Sequence, residues 1–185
     1  MIRQNLENSG VQYGLDEQGC FVIDQYNSSK PFCNFFPGIA GIHGIPMWVF
    51  YVNRGQGICS FGVESKDRAI MEFLPANKAY RQTTLHGFRT FIKIQTGNET
   101  KYWEPFQEGL LGTQYQKEQR MAITAHDLTL METNHDLGLQ IELNYFTLPE
   151  EFYPGLFRKV TLKNLTNENI SIEMIDGLPM IMPFG

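Results

Sequence analysis

Leu139-Gln140-Ile141-Glu142-Leu143-Asn144-Tyr145 alternates apolar and polar residues without interruption. A period of two marks a strand with one face buried. Met121, Ile123 and Ala125 keep the same rhythm upstream, and Leu128 and Leu130 resume it after a one-residue slip at His126-Asp127 that reads as a bulge. Downstream, Arg158, Val160 and Leu162 lead into the turn-rich Asn164-Leu165-Thr166-Asn167-Glu168-Asn169, after which Ile170, Ile172 and Met174 alternate again. Segments 156–165 and 169–176 therefore read as a hairpin.

The first half follows the same pattern less regularly. Phe21–Ile23 is a short strand. Residues 46–52 are apolar on both faces, as in a central strand, and meet Asn53-Arg54-Gly55-Gln56-Gly57 before Ile58–Val63 returns as the second arm of a hairpin. Phe88, Thr90, Ile92 and Ile94 share one face of a further strand. Residues 30–45, with Pro31, Pro37, Gly38, Gly41 and Gly44, read as an ordered loop. No window sustains a helical period, and Phe106–Gly112 gives at most one helical turn. Many short strands with almost no helix predict an all-β fold, an antiparallel sandwich or barrel forming one domain over 1–185. The uncharged apolar stretch Leu178–Phe184 reads as packing on a strand edge or subunit contact, and as the sign of a longer multidomain chain.

Composition sets further limits. The chain has 185 residues, 42% hydrophobic and 19% charged, which excludes a disordered chain. Its net charge of −5 argues against nucleic acid as the main partner, since phosphate binding wants a basic face. The longest apolar run, Ile45–Val52, is far short of a membrane helix, and the polar Met1–Ser9 lacks a signal-peptide core. Cys20, Cys33 and Cys59 have no metal or redox spacing and read as free thiols of a reducing, cytoplasmic compartment.

Catalytic signals are sparse. His126-Asp127 and His135-Asp136 repeat a pair without the further ligands that a metal needs. Cys59-Ser60-Phe61-Gly62 lacks the glycine of a nucleophile elbow, and Gly55-Gln56-Gly57 opens no helix. No catalytic residue and no metal site is expected. The aromatics are the better signal: Trp48 and Trp103 are the only tryptophans, and Trp103 sits in Lys101-Tyr102-Trp103-Glu104-Pro105-Phe106 among charges. Flat rings stack on sugars, while carboxylates and arginines bind hydroxyls. Arg54, Trp103, Glu104 and Trp48 are thus the candidate carbohydrate or inter-domain contacts, with Arg54 expected at an exposed hairpin tip.

Pro46-Met47-Trp48 through Asn53-Arg54-Gly55-Gln56-Gly57-Ile58-Cys59-Ser60-Phe61-Gly62 resembles the N-terminal pattern of the cellobiose phosphorylase group. Lys101-Tyr102-Trp103-Glu104-Pro105 is similar to an aromatic-Ser-Pro step of that family, with Glu104 in place of serine. Residues 158–164 resemble the strand before a hairpin near the end of the family's sandwich. The resemblance implies a galactose-mutarotase-like β-sandwich supporting an (α/α) barrel in the same chain and mediating homodimer contacts. It implies phosphorolysis of β-linked gluco-oligosaccharides, with inorganic phosphate as co-substrate, no cofactor, and the general acid in the barrel. Two other readings stand beside it: a free-standing carbohydrate-binding module, and a mutarotase or epimerase-like enzyme using histidines such as His86 and His126.

Overall fold

The computed structural model describes residues 4–5, 10–37, 40–109, 115–181 and 183. It is an all-β, antiparallel structure with one α-helix among the described residues. The strands are β1 (Gln4–Asn5), β2 (Gln12–Leu15), β3 (Phe21–Asp24), β4 (Cys33–Pro37), β5 (Met47–Val52), β6 (Ile58–Val63) and β7 (Ala69–Met71). They continue with β8 (Arg89–Thr96), β9 (Glu99–Trp103), β10 (Lys117–Ile123), β11 (Asp127–Asn134), β12 (Leu139–Thr147), β13 (Leu156–Asn164) and β14 (Ser171–Gly177). The helix, α1 (Ala76–His86), lies between β7 and β8.

One layer is a seven-stranded sheet in the order β1-β2-β3-β10-β11-β12-β13. Facing it are a four-stranded sheet, β4-β5-β6-β7, and a three-stranded sheet, β14-β8-β9. The alternation read from the sequence decides which residues meet. Leu128, Leu130, Leu139, Ile141, Leu143 and Tyr145 from the large sheet are fully buried. They join Val49, Tyr51 and Ile58 of the second sheet and Ile92, Ile94 and Trp103 of the third in one core cluster. Each fully buried aliphatic side chain contributes about 1.5–3 kcal/mol, so this shared cluster holds the layers together.

Four expectations are corrected. The slip at His126-Asp127 is a chain reversal: β10 and β11 pair antiparallel, Ile123 opposite Leu128, around a turn closed by the Thr124 amide on the Asp127 carbonyl at 3.1 Å. A reversal leaves the inward parity of Leu128 and Leu130 as a bulge would, so periodicity alone cannot separate the two. The strands at 156–165 and 169–176 form no hairpin. β13 pairs with β12, whereas β14 crosses to the other layer and pairs with β8. The Asn164 side chain, bonded to the Thr166 amide at 2.9 Å and the Glu168 carbonyl at 2.8 Å, shapes the crossing.

The loop expected over 30–45 contains β4, which adds an edge to the second sheet, with Phe35 opposite Phe50. Finally, α1 escapes the periodicity reading because it buries only the small residues Ala79 and Thr83, one turn apart, and leaves Leu85 exposed. Its legible signals were the flanking Pro75 and Gly87. At the chain's end, Leu178 packs against the core while Met180 and Ile181 are exposed. Residues 182 and 184 of that apolar stretch lie outside the described residues.

Candidate functional site

The β5–β6 hairpin forms as expected, but its tip is not free in solvent. Gly55 and Gly57 take φ of +50° and +81°, tightening the turn so that Arg54 folds back onto the protein. Arg54 Nη1 donates to the Asn27 carbonyl at 2.7 Å and pairs with Glu108 Oε2 at 3.2 Å, and its guanidinium lies 5.4 Å from the centre of the Tyr80 ring. Arg54 is a half-buried, ion-paired residue, which corrects the exposed-tip expectation. It lines a cleft of about 340 Å³ with Asn27, Leu85, Arg89, Glu104, Gln107 and Glu108. Glu104 is buried there and accepts from Arg89 Nε at 2.7 Å. Two of the four sequence candidates, Arg54 and Glu104, therefore meet in one cleft.

The two tryptophans lie elsewhere. Trp103 has no exposed surface, so its ring faces are closed to a sugar. Its indole Nε1 donates to Glu132 Oε1 at 3.0 Å. Glu132 is itself wholly buried and also accepts from the Phe106 amide at 2.7 Å and Gln119 Nε2 at 2.6 Å. Burial raises its carboxyl above the usual range, against these donors and Lys117, which favour the charged form. The network fixes the floor of the cleft, including Phe106, which is held at φ +64°.

Trp48 is half-buried on the outer face of the second sheet, rather than enclosed on both sides. The register puts Gly62 beside it, and a Cβ there would stand 2.5 Å from Trp48 Cζ2 and 2.6 Å from the Arg68 carbonyl. Trp48 Nε1 donates to the Ser65 carbonyl at 2.9 Å, fixing the ring. Phe50 and Phe73 pack edge-on against it, centroids 5.9 and 6.1 Å away, and Phe35 extends the group beyond Phe50 at 5.6 Å. Phe35 and Phe73 are exposed. Among the described residues, helix α1 covers the end of this face around Val52 and Cys59, and Phe35 and Phe73 at the other end stay exposed.

All three cysteines are free thiols. Cys33 on β4 and Cys59 on β6 lie on either side of β5 and form no disulfide. They hydrogen-bond instead, which lowers Cys33 to about 7 and, with burial, pushes Cys59 up. Cys20 is also raised, by desolvation and by Asp16 and Asp127. Iodoacetamide at neutral pH should thus label Cys33 first of the three, as read by peptide mapping. Labelling no faster than at Cys20, or a Cys33 rate unchanged in Cys59→Ala, would refute the assignment.

The histidines do not converge. His43 packs near Phe152, His126 sits in the β10–β11 turn, and His135 faces Glu118 at 3.3 Å. Among the described residues no group of three or more His, Cys, Asp or Glu could hold a metal, and no helix is long and apolar enough to cross a membrane. The sequence reading missed Asn27, Arg89 and Glu108, for which no local motif exists, and Glu132, a charge at an inward position of β11. No family model matches the chain, and a comparison with curated proteins finds no match.

Proposed function

We propose that this chain is a non-catalytic β-sandwich module of a carbohydrate-active protein, and that its outer aromatic face binds β-linked gluco-oligosaccharide. The carrying observation is Trp48, backed by Gly62, anchored through Ser65 and flanked by Phe50 and Phe73. A pre-oriented ring loses little conformational freedom when a sugar's C–H face stacks on it. The sequence resemblance extends the proposal to a glycoside phosphorylase parent of the cellobiose phosphorylase type. There this galactose-mutarotase-like module would support a helical barrel holding the general acid, and phosphate would be the co-substrate.

The two tryptophans make a direct test. Trp103 is sealed and Trp48 is half-buried, so iodide quenching reports Trp48 almost alone. Cellohexaose should protect that fluorescence. Trp48→Ala should weaken binding at least tenfold, about 1.4 kcal/mol, with its melting curve checking the fold. Unaltered quenching under saturating oligosaccharide would sink the binding role. Release of sugar 1-phosphate from cellobiose and phosphate by the purified chain would sink the non-catalytic one.

A further inference from the structure

The cleft beside the β5–β6 turn is lined by a residue whose buried acceptor has nothing bonded to it among the described residues. Asn27 is 2% exposed and lines the cleft, and among the described residues its Oδ1 has no hydrogen-bond partner. Its orientation is fixed from behind. Gln119 Nε2 donates to Glu132, so Gln119 Oε1 faces Asn27 and accepts from Nδ2 at 2.9 Å. The Phe106 carbonyl, which can only accept, takes the same Nδ2 at 3.3 Å. Oδ1 is therefore the atom left over. A buried polar atom without a partner is costly, and in a cleft it calls for a ligand donor.

The surrounding charges define the ligand's class. Arg54 pairs with Glu108 and Arg89 with Glu104, so the two cations and two anions of the rim cancel. A phosphate would have to displace a carboxylate from its arginine, and a metal cation would have to displace an arginine. Neither is favoured. A neutral molecule with several hydroxyls can use these groups without breaking either pair, since Arg54, Glu104, Glu108 and Gln107 supply donors and acceptors around one opening. Leu85, 60% exposed on α1, gives one wall an apolar surface for C–H groups. The volume, about 340 Å³, is at the small end for ligand sites and fits a sugar unit or the end of a short oligosaccharide, not a chain passing through.

We propose that this cleft binds a small neutral polyol, one or two sugar units, which donates a hydroxyl to Asn27 Oδ1. The ligand class is shared with the reading above, but none of the residues is, so the two sites fail separately. Glucose and cellobiose are the probes, with inorganic phosphate and myo-inositol for comparison. Titrated into the labelled chain, cellobiose or glucose should shift the Asn27 side-chain amide signals saturably. Leu85→Trp, a surface change that fills the cleft without touching its network, should weaken this binding at least tenfold. Trp48→Ala should leave it intact. Asn27→Ser should do as Leu85→Trp does, with its melting curve checking the fold. No shift at Asn27 with any neutral polyol, or an equal response in Leu85→Trp, would overturn the proposal. A shift with phosphate alone would overturn the neutral class. A shift at Asn27 abolished by Trp48→Ala would mean one extended site rather than two.

Discussion

Replacing Glu132 with alanine is expected to destabilise the fold by on the order of 4 kcal/mol, because the change strands three buried donors at about 1–3 kcal/mol each and opens a cavity. The donors are the Trp103 indole, the Phe106 amide and the Gln119 side chain. For a domain of this size the melting temperature should fall by roughly 10 °C. Glu132→Gln keeps the shape but turns one N–H donor toward another, so it should lose less, yet more than about 1 kcal/mol. The pH dependence has a definite sign. Burial, the largest influence, raises the Glu132 carboxyl above its unfolded value. Between those two values the folded chain holds a proton that the unfolded chain has released. Stability contributed by Glu132 thus falls as pH rises through that window. Urea midpoints of the native protein and Glu132→Gln, measured upward from about pH 4, should differ in slope there. Parallel curves, or a Glu132→Ala variant melting within a degree or two of the native chain, would show that the network carries little energy.

Glu132 also shows where the sequence stops being legible. Inward parity in β11 runs Leu128, Leu130, Glu132, and a strand pattern that places a carboxylate inside signals a buried network. It does not name the partners, since Trp103 and Phe106 come from the far side of the sandwich. The strands themselves were legible wherever one face is buried and the other wet. In β12 every inward residue named from the alternation is fully buried. Two elements, β4 and α1, escaped the alternation, and two connections were misread. A turn at Thr124–His126 and a layer crossing at Asn164–Asn169 leave the same period on both sides as a bulge or a hairpin would. Only the identity of the paired strand distinguishes them, and that is decided by long-range packing.

The site divides in the same way. Trp48 was legible as an aromatic on a strand, but its exposure depends on how far α1 reaches across the sheet. The polar setting of Trp103 pointed to the surface, whereas those polar neighbours serve a buried network and a cleft. Arg54 looked free because turn tips usually are, yet Glu108, 54 positions away in sequence, meets it. Asn27 carried no sign at all, because its role comes from two partners that hold one side of the amide and leave the other unpaired.

Arg158→Met should be the second severe variant, losing about 2–3 kcal/mol, since it removes several hydrogen bonds to a charged group, each contributing about 1.5–3 kcal/mol, while Asp176 opposite it keeps partial contact with solvent. The Arg158 side chain is 8% exposed, and both of its terminal nitrogens bond Asp176, Nη2 to Oδ1 at 2.8 Å. Nη2 also donates to Gln56 Oε1 at 2.7 Å, Nε donates to the Tyr145 hydroxyl at 3.2 Å, and the guanidinium lies over the Phe88 ring. Arg158 stands on β13, Asp176 on β14 and Gln56 in the β5–β6 turn. One side chain therefore ties all three sheets together at β13 and β14, each an edge of its sheet among the described residues. Removing both charges, as in Arg158→Met with Asp176→Leu, should recover much of the loss, because the doubled variant strands no ion. The coupling read from the double-mutant cycle in urea should exceed about 1 kcal/mol. An additive cycle would mean that Arg158 acts through packing on Phe88 and Tyr145 alone. The same variant discriminates a second way. Hydrogen exchange should rise first in β14, whose one ladder partner among the described residues is β8, while β11 and β12 stay protected. Uniform loss of protection across both layers would show instead that the sandwich opens as one unit and that the pair is not a local clasp.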